Sequence, residues 1–280
     1  MIDQLQTRLF NVQPSATLYH YTSLQGLMGI IESRVLRASD VRYMNDSTEL
    51  TYALNMIQTA IADRAPATPT DARSLSAFAT WLRDQINKGP MLFSASFRAN
   101  GNLLSQWRGY ASHGKGMSLG FNPAAIQRLA VDQGFSLGQC IYDPKQQIGL
   151  IEDIIDTVLS MCSDSRCLNS VFDEIEGDLL SMCALFKHPA FIEEQEWRLV
   201  SPPFTDAGGK PISFREGKAM LVPFYEFSIE LSGTIELDHV FVGPTPNADL
   251  SVTALSHYLT LHSARPGGGI SESGIPYRQR

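Results

Sequence analysis

Two periods of apolar residues divide this chain. Leu24, Leu27, Met28, Ile30 and Ile31 recur at helical spacing behind Ser23, which predicts a capped helix. Leu50, Ala53, Leu54, Ile57 and Ile61 form a second stripe, entered through Asp46 and Glu49 at capping-box spacing. Leu75, Phe78, Ala79, Leu82 and Ile86 form a third. Leu103–Ala111 reads as a short helix, Asn122-Pro123 opens another, and 248–261 carries the last. Residues 145–187 read as two amphipathic helices broken near Asp164. Residues 1–16 read as a lead-in ended by Pro14, and Ala65–Thr70 as a surface loop.

The strand period marks Leu18–Thr22, Met91–Phe97, the run after Gly116, Phe135–Tyr142, Trp197–Val200, 211–214, Met220–Phe227, Val240–Val242 and the neighbourhood of Ile270. In Met91–Phe97, Ser94 and Ser96 share one face, and Phe93, Ala95 and Phe97 the other. Helices and strands mix without regular βαβ alternation. The expected fold is α+β, with a mixed, largely antiparallel sheet. One domain over 1–280 is expected, with a helical layer inserted at about 145–187.

Composition narrows the function classes. A net charge of -7 argues against a duplex nucleic-acid binder. No apolar stretch reaches membrane-spanning length, and MIDQLQTRLF lacks the basic and apolar regions of a signal peptide. With four cysteines and no export signal, reduced thiols and a cytoplasmic setting are expected.

Few motifs carry chemistry. P-loop, GxGxxG, HExxH and GxSxG patterns are absent, and Gly114, Gly116 and Gly120 miss the dinucleotide spacing. Cys162, Cys167, Cys183 and His188 supply zinc-type ligand atoms but fall on apolar helices, so buried thiols are expected and no metal. Glu194 and Glu196 stand two apart at the entrance of a strand. If the strand has begun, they share a face, and one pKa rises unless a cation neutralises the pair. His20 lies between Tyr19 and Tyr21, where its ring meets either the core or a ligand hydroxyl. Trp107 and Tyr110 lie on one side of their short helix.

Leu18-Tyr-His-Tyr-Thr-Ser23, Tyr43-Met-Asn-Asp46 with Glu49, Phe93-Ser-Ala-Ser96, Leu104 through Ala111, Gly116 through Phe121, Glu194 through Arg198, Val242-Gly-Pro244 and Ser273 through Arg278 occur in that order. Together they resemble the bacterial domain-of-unknown-function family numbered 2971. More loosely, the chain is similar to ADP-ribosyltransferase-like proteins. Those have a His or Arg on an early strand, a Ser or Tyr on a second, and a late Glu, often as ExE.

That second resemblance implies a transferase-type core and NAD as substrate. The acceptor of ADP-ribose would be an unknown macromolecule or water. His20 would bond a ribose hydroxyl, with Tyr21 beside it, and Ser94 or Ser96 would support the nicotinamide-ribose strand. Glu196 would bind the ribose 2′-hydroxyl and stabilise the oxocarbenium-like transition state. Glu194 would orient or deprotonate the acceptor. By residue chemistry, Trp107 or Tyr110 would stack on nicotinamide, and Arg42 or Arg98 would meet the pyrophosphate. The chain departs from the pattern in one respect: Ser-Ala-Ser accompanies a His, whereas His-type members more often carry a Tyr at the second position, for which Tyr110 is the alternative.

Two functions follow as expectations. One is an NAD-cleaving ADP-ribosyltransferase or NAD glycohydrolase in a toxin or phage-defence setting. The other is a non-catalytic nucleotide-sensing or protein-interaction module on the same fold. Arg198 divides them, because its direction decides whether Glu196 is free.

Overall fold

A computed structural model describes residues 2–44, 49–110, 116–163, 168–204, 212–217 and 219–276. Asp46, Gly114 and Cys167 lie outside them. The helices are α1 (Ile2–Phe10), α2 (Leu24–Ser33), α3 (Glu49–Asp63), α4 (Pro69–Lys88), α5 (Leu104–Tyr110), α6 (Pro123–Gln133), α7 (Pro144–Ser163), α8 (Leu168–Cys183) and α9 (Ala248–Leu261). The strands are β1 (Leu18–Ser23), β2 (Val35–Asp40), β3 (Phe93–Arg98), β4 (Gly116–Phe121), β5 (Ser136–Gln139), β6 (Glu196–Val200), β7 (Ser213–Glu216), β8 (Leu221–Ser228), β9 (Glu230–Leu231), β10 (Thr234–Ile235), β11 (Leu237–Val242) and β12 (Ile270–Glu272).

Among the described residues, ten strands form one α+β sheet. One path runs β12-β11-β4-β1-β3-β2-β8-β7, and β6 joins β3 to β5. Every pairing in it is antiparallel except β11 with β12. The remaining strands, β9 and β10, make a separate hairpin turned by Ser232 and Gly233. Both turn residues have positive φ, as a twisted two-residue connection requires.

Side-chain alternation separates the two faces of the sheet. One carries Leu18, Phe93, Ala95, Phe97, Leu119, Phe121, Trp197 and Leu199 against α2, α6 and α9. Ser23 caps α2 by accepting from the Gly26 N–H, and Asn122 caps α6 through the Ala124 and Ala125 N–H groups. The other face receives a second core built from α1, α3, α4, α7 and α8. The 145–187 segment contributes α7 and α8 to this layer. Its two helices, Pro144–Ser163 and Leu168–Cys183, share a core with the N-terminal helices.

The lead-in reading of 1–16 is corrected. Ile2, Leu5 and Leu9 repeat at helical spacing, and α1 buries Ile2 and Phe10 in that second core. Cys162 and Cys183 are buried there as free thiols, and Cys140 is buried beside β6, its N–H donating to the Glu196 carbonyl. His188 is exposed and caps a 3-10 helix, Pro189–Glu194, through the Ala190 N–H. No group of three or more His, Cys, Asp or Glu suited to a metal occurs among the described residues.

Candidate functional site

The strands carrying the early His, the paired serines and the late Glu are neighbours in the sheet. β3 lies between β6 and β1: Arg98 is opposite Glu196 on one edge and Tyr19 on the other. Towards its start, β3 changes partner on that second edge, with Ser39 and Asp40 of β2 opposite Ser94 and Phe93. β1 and β2 thus diverge along the edge of β3, and Ala95 to Phe97 have no strand partner there among the described residues.

His20 reaches into this gap. Its Nδ1 lies 2.9 Å from the Ser96 carbonyl oxygen. A carbonyl only accepts, so Nδ1 carries the proton and Nε2 of the neutral ring offers a lone pair. Burial lowers the His20 pKa; the Ser96 carbonyl opposes this, and the charge on Arg98 adds to it. His20 and Ser96 are half-buried while Ala95, Phe97 and Tyr21 around them are buried.

Glu196 does not face this gap freely. Arg198 grips it at two points, Nε–Oε1 2.9 Å and Nη2–Oε2 3.1 Å, and Arg98 Nη1 lies 3.2 Å from Oε1. Lys187 Nζ donates to Oε2, and the Glu196 side chain is 1 % exposed. Burial alone would raise the Glu196 pKa; Arg198, Arg98 and Lys187 outweigh it and hold the carboxyl well below its ordinary range.

The strand begins at Glu196, and Gln195 takes a left-handed turn, so Glu194 belongs to the preceding 3-10 helix. It still meets the same cations, Lys187 at 2.6 Å and Arg98 at 2.8 Å, and its side chain is 17 % exposed. The repulsion expected between the two carboxylates is answered by cations, the exception foreseen from their spacing.

Register separates the triad by face. Tyr19 and Tyr21 share the side of Arg98 and Glu196, whereas His20 points with Phe97, whose ring centroid is 6.0 Å away. A ligand touching both His20 and Glu196 must therefore pass through the gap beside β3.

The other expected contacts divide between open and closed groups. Ser94 and Ser96 lie on the Glu196 face, and their hydroxyls are buried without a hydrogen-bond partner, as is Arg98 Nε. Tyr110 is partly exposed and close enough to Arg98, Glu196 and Glu194 to feel their charge; burial dominates and raises its pKa.

Trp107 is fully buried, donates Nε1–H to Asn102 at 2.8 Å and packs edge-on against Tyr21 at 4.9 Å. It has no open face for stacking, which corrects that assignment. Tyr21 is likewise structural. Its hydroxyl donates to the Asn100 carbonyl and accepts from the Leu103 N–H, and burial pushes its pKa up to about 12.

Arg42 is closed too. It pairs with the buried Asp40 through Nε (3.0 Å) and Nη2 (2.7 Å), and donates Nη1 to the Gly89 carbonyl. This holds the 3-10 turn Val41–Tyr43 and leaves no fork for a pyrophosphate.

Sequence reasoning missed three supports. Lys187 follows the buried run Cys183–Phe186, so its charge had to be buried with a partner. Gln147 is fully buried, donates Nε2 to the Ile141 and Lys187 carbonyls, and accepts from Tyr52, which fixes the backbone carrying Lys187. The Tyr142 hydroxyl accepts from the Glu196 N–H at 3.0 Å.

A family model described as "Protein of unknown function (DUF2971)" matches residues 106–199. The match runs from within α5 to Leu199 in β6. It includes Tyr110, Lys187, Glu194, Glu196 and Arg198, and leaves His20, Ser94 and Ser96 outside. A search of curated proteins found no match.

Proposed function

We propose that the gap between β1 and β2 binds NAD, and that the chain is an NAD-cleaving ADP-ribosyltransferase or NAD glycohydrolase, with a toxin or phage-defence effector as its setting. The observation that carries this is the adjacency of the three motif-bearing strands. β1, β3 and β6 lie side by side, and β1 parts from β2 at Ser96, where His20 is fixed as the Nδ1–H tautomer. Nε2 then accepts from a ribose hydroxyl, and the unpartnered Ser94 and Ser96 hydroxyls supply the donors. Glu196 is kept ionised by its cations, and to stabilise an oxocarbenium-like centre it would have to exchange one of them for the substrate. Glu194, the more exposed carboxylate, would receive a proton from the acceptor.

A second reading is a non-catalytic nucleotide-sensing or protein-interaction module. It is favoured by the burial of Glu196 between Arg198, Arg98 and Lys187, which leaves neither carboxylate oxygen open. One experiment separates the two. Purified protein is incubated with NAD, with and without a lysate as acceptor source, while free nicotinamide and the NAD-induced Tm shift are measured. Catalysis predicts nicotinamide release that is lost in Glu196→Gln. A Tm shift without release supports the sensing module. Neither signal overturns NAD as the ligand.

A further inference from the structure

A groove of 670 Å3 lies on the helical layer between α3 and α7. The two helices run side by side in the same direction. Tyr52 Oη donates to Gln147 Oε1 at 3.0 Å near their starts, and Arg64 pairs with Asp156 further along. The groove follows α3 from Tyr52 to Asp63, about 17 Å at the helical rise per residue, and ends at Arg64 just beyond the helix.

Its walls repeat at helical spacing. α3 presents Tyr52, Met56 and Ala60, each four residues from the last, and α7 presents the exposed Ile148, with the buried Ile151 and Ile155 beneath it as the floor. Met56 and Ala60 are half-buried and Ile148 is 49 % exposed, so apolar surface meets solvent between two parallel stripes. Two adjacent helical stripes offer the holes into which a third helix sets residues at i, i+3, i+4 and i+7.

The rim is acidic. Asp63, Glu152 and Asp156 line it against one cation, Arg64, which is already paired with Asp156. A second copy of the chain would bring its own net charge of -7 towards this rim, and an anionic bilayer would be repelled in the same way. A cationic flank is attracted.

We propose that the α3–α7 groove docks a basic amphipathic helix of a partner protein, its apolar side against Met56, Ala60 and Ile148 and its Lys or Arg flank along Asp63 and Glu152.

The probe is a fluorescein-labelled synthetic helix of about four turns, with Leu at i, i+3, i+4 and i+7 and Lys on the flanks. Its Leu/Glu counterpart is the control, and both are titrated into the full chain by anisotropy. Saturable binding of Leu/Lys is expected, weakening with salt, with none for Leu/Glu. Ala60→Trp fills the groove without changing charge, and Ile148→Gln removes apolar surface from an exposed position. Each is expected to weaken binding at least about tenfold while leaving the urea midpoint near wild type. Unchanged affinity in Ala60→Trp and Ile148→Gln overturns the proposal, because the attraction then comes from overall charge alone. Absence of binding overturns it too. So does sedimentation showing a wild-type dimer that Ala60→Trp dissolves, which assigns the groove to a second copy.

Discussion

Arg198 and Glu196, two residues apart on β6, form a two-point ion pair in which each side chain is 1 % exposed. The strand period makes the pair possible, since residues at i and i+2 share a face. Burial makes it demanding. Each charge has left water, and attraction offsets that loss only when geometry and further hydrogen bonds are good. Arg98 and Lys187 complete Glu196, and the Ala184 carbonyl accepts from Arg198 Nη1 at 2.7 Å.

Arg198→Met removes the two-point partner and leaves Glu196 to Arg98 and Lys187. The expected loss is about 1–3 kcal/mol in urea unfolding. The double variant Glu196→Gln/Arg198→Met is expected to be more stable than the sum of the single losses by at least about 1 kcal/mol. Strict additivity would show that the contact contributes no coupling.

The depressed pKa of Glu196 sets an acid limit. The unfolded carboxyl titrates near 4.5 and the folded one well below it. The contribution is therefore present above 4.5 and is lost as pH falls through the folded value. The stability difference between wild type and Glu196→Gln is expected to be constant above about pH 6 and to shrink below about pH 4.5. Urea midpoints across that range measure it, and a gap that widens with acid contradicts the assignment.

His20 behaves in a related way for another reason. Burial lowers its pKa below 6.5, so the unfolded chain takes up a proton first as pH falls. Its contribution is present above 6.5 and is lost between that value and the lower folded one. Long-range proton–nitrogen NMR is expected to show the Nδ1–H tautomer and a pKa below 6.5. An Nε2–H tautomer would remove the open acceptor on which the NAD reading depends.

Gln147→Leu keeps the chain length but removes one donor from each of the Ile141 and Lys187 carbonyls and the acceptor of the Tyr52 hydroxyl, while the Ile141 carbonyl keeps the Lys187 N–H. The expected loss is about 1–3 kcal/mol for each group left dry, read from chemical denaturation. Because Gln147 holds the backbone of Lys187, the Glu196 pKa is expected to rise in this variant, seen by carboxyl-carbon NMR. A stability loss with no movement of that pKa would make Gln147 a packing residue only.

The sequence by itself determined most of the local structure. Apolar spacing gave α2, α3, α4, α7, α8 and α9 their buried faces, and Ser23 and Asn122 marked two starts, because periodicity and caps act within a few residues. Alternation in Phe93–Phe97 put both serines on one face before any partner strand was known.

Tertiary structure decided what each of these groups can do. Chain order placed the motifs of His20, Ser94 and Glu196 in sequence, but only sheet pairing made their strands neighbours and set His20 on the opposite face from Glu196. Trp107 and Arg42 looked like ligand groups until packing closed one under Tyr21 and Asp40 took the other. Lys187 was invisible as a partner of Glu196, since the turn Gln195 and the 3-10 helix between them fold the chain back on itself. Periodicity reports which side of an element is apolar. The charge state and exposure of a polar group depend on the residues that distant segments bring against it.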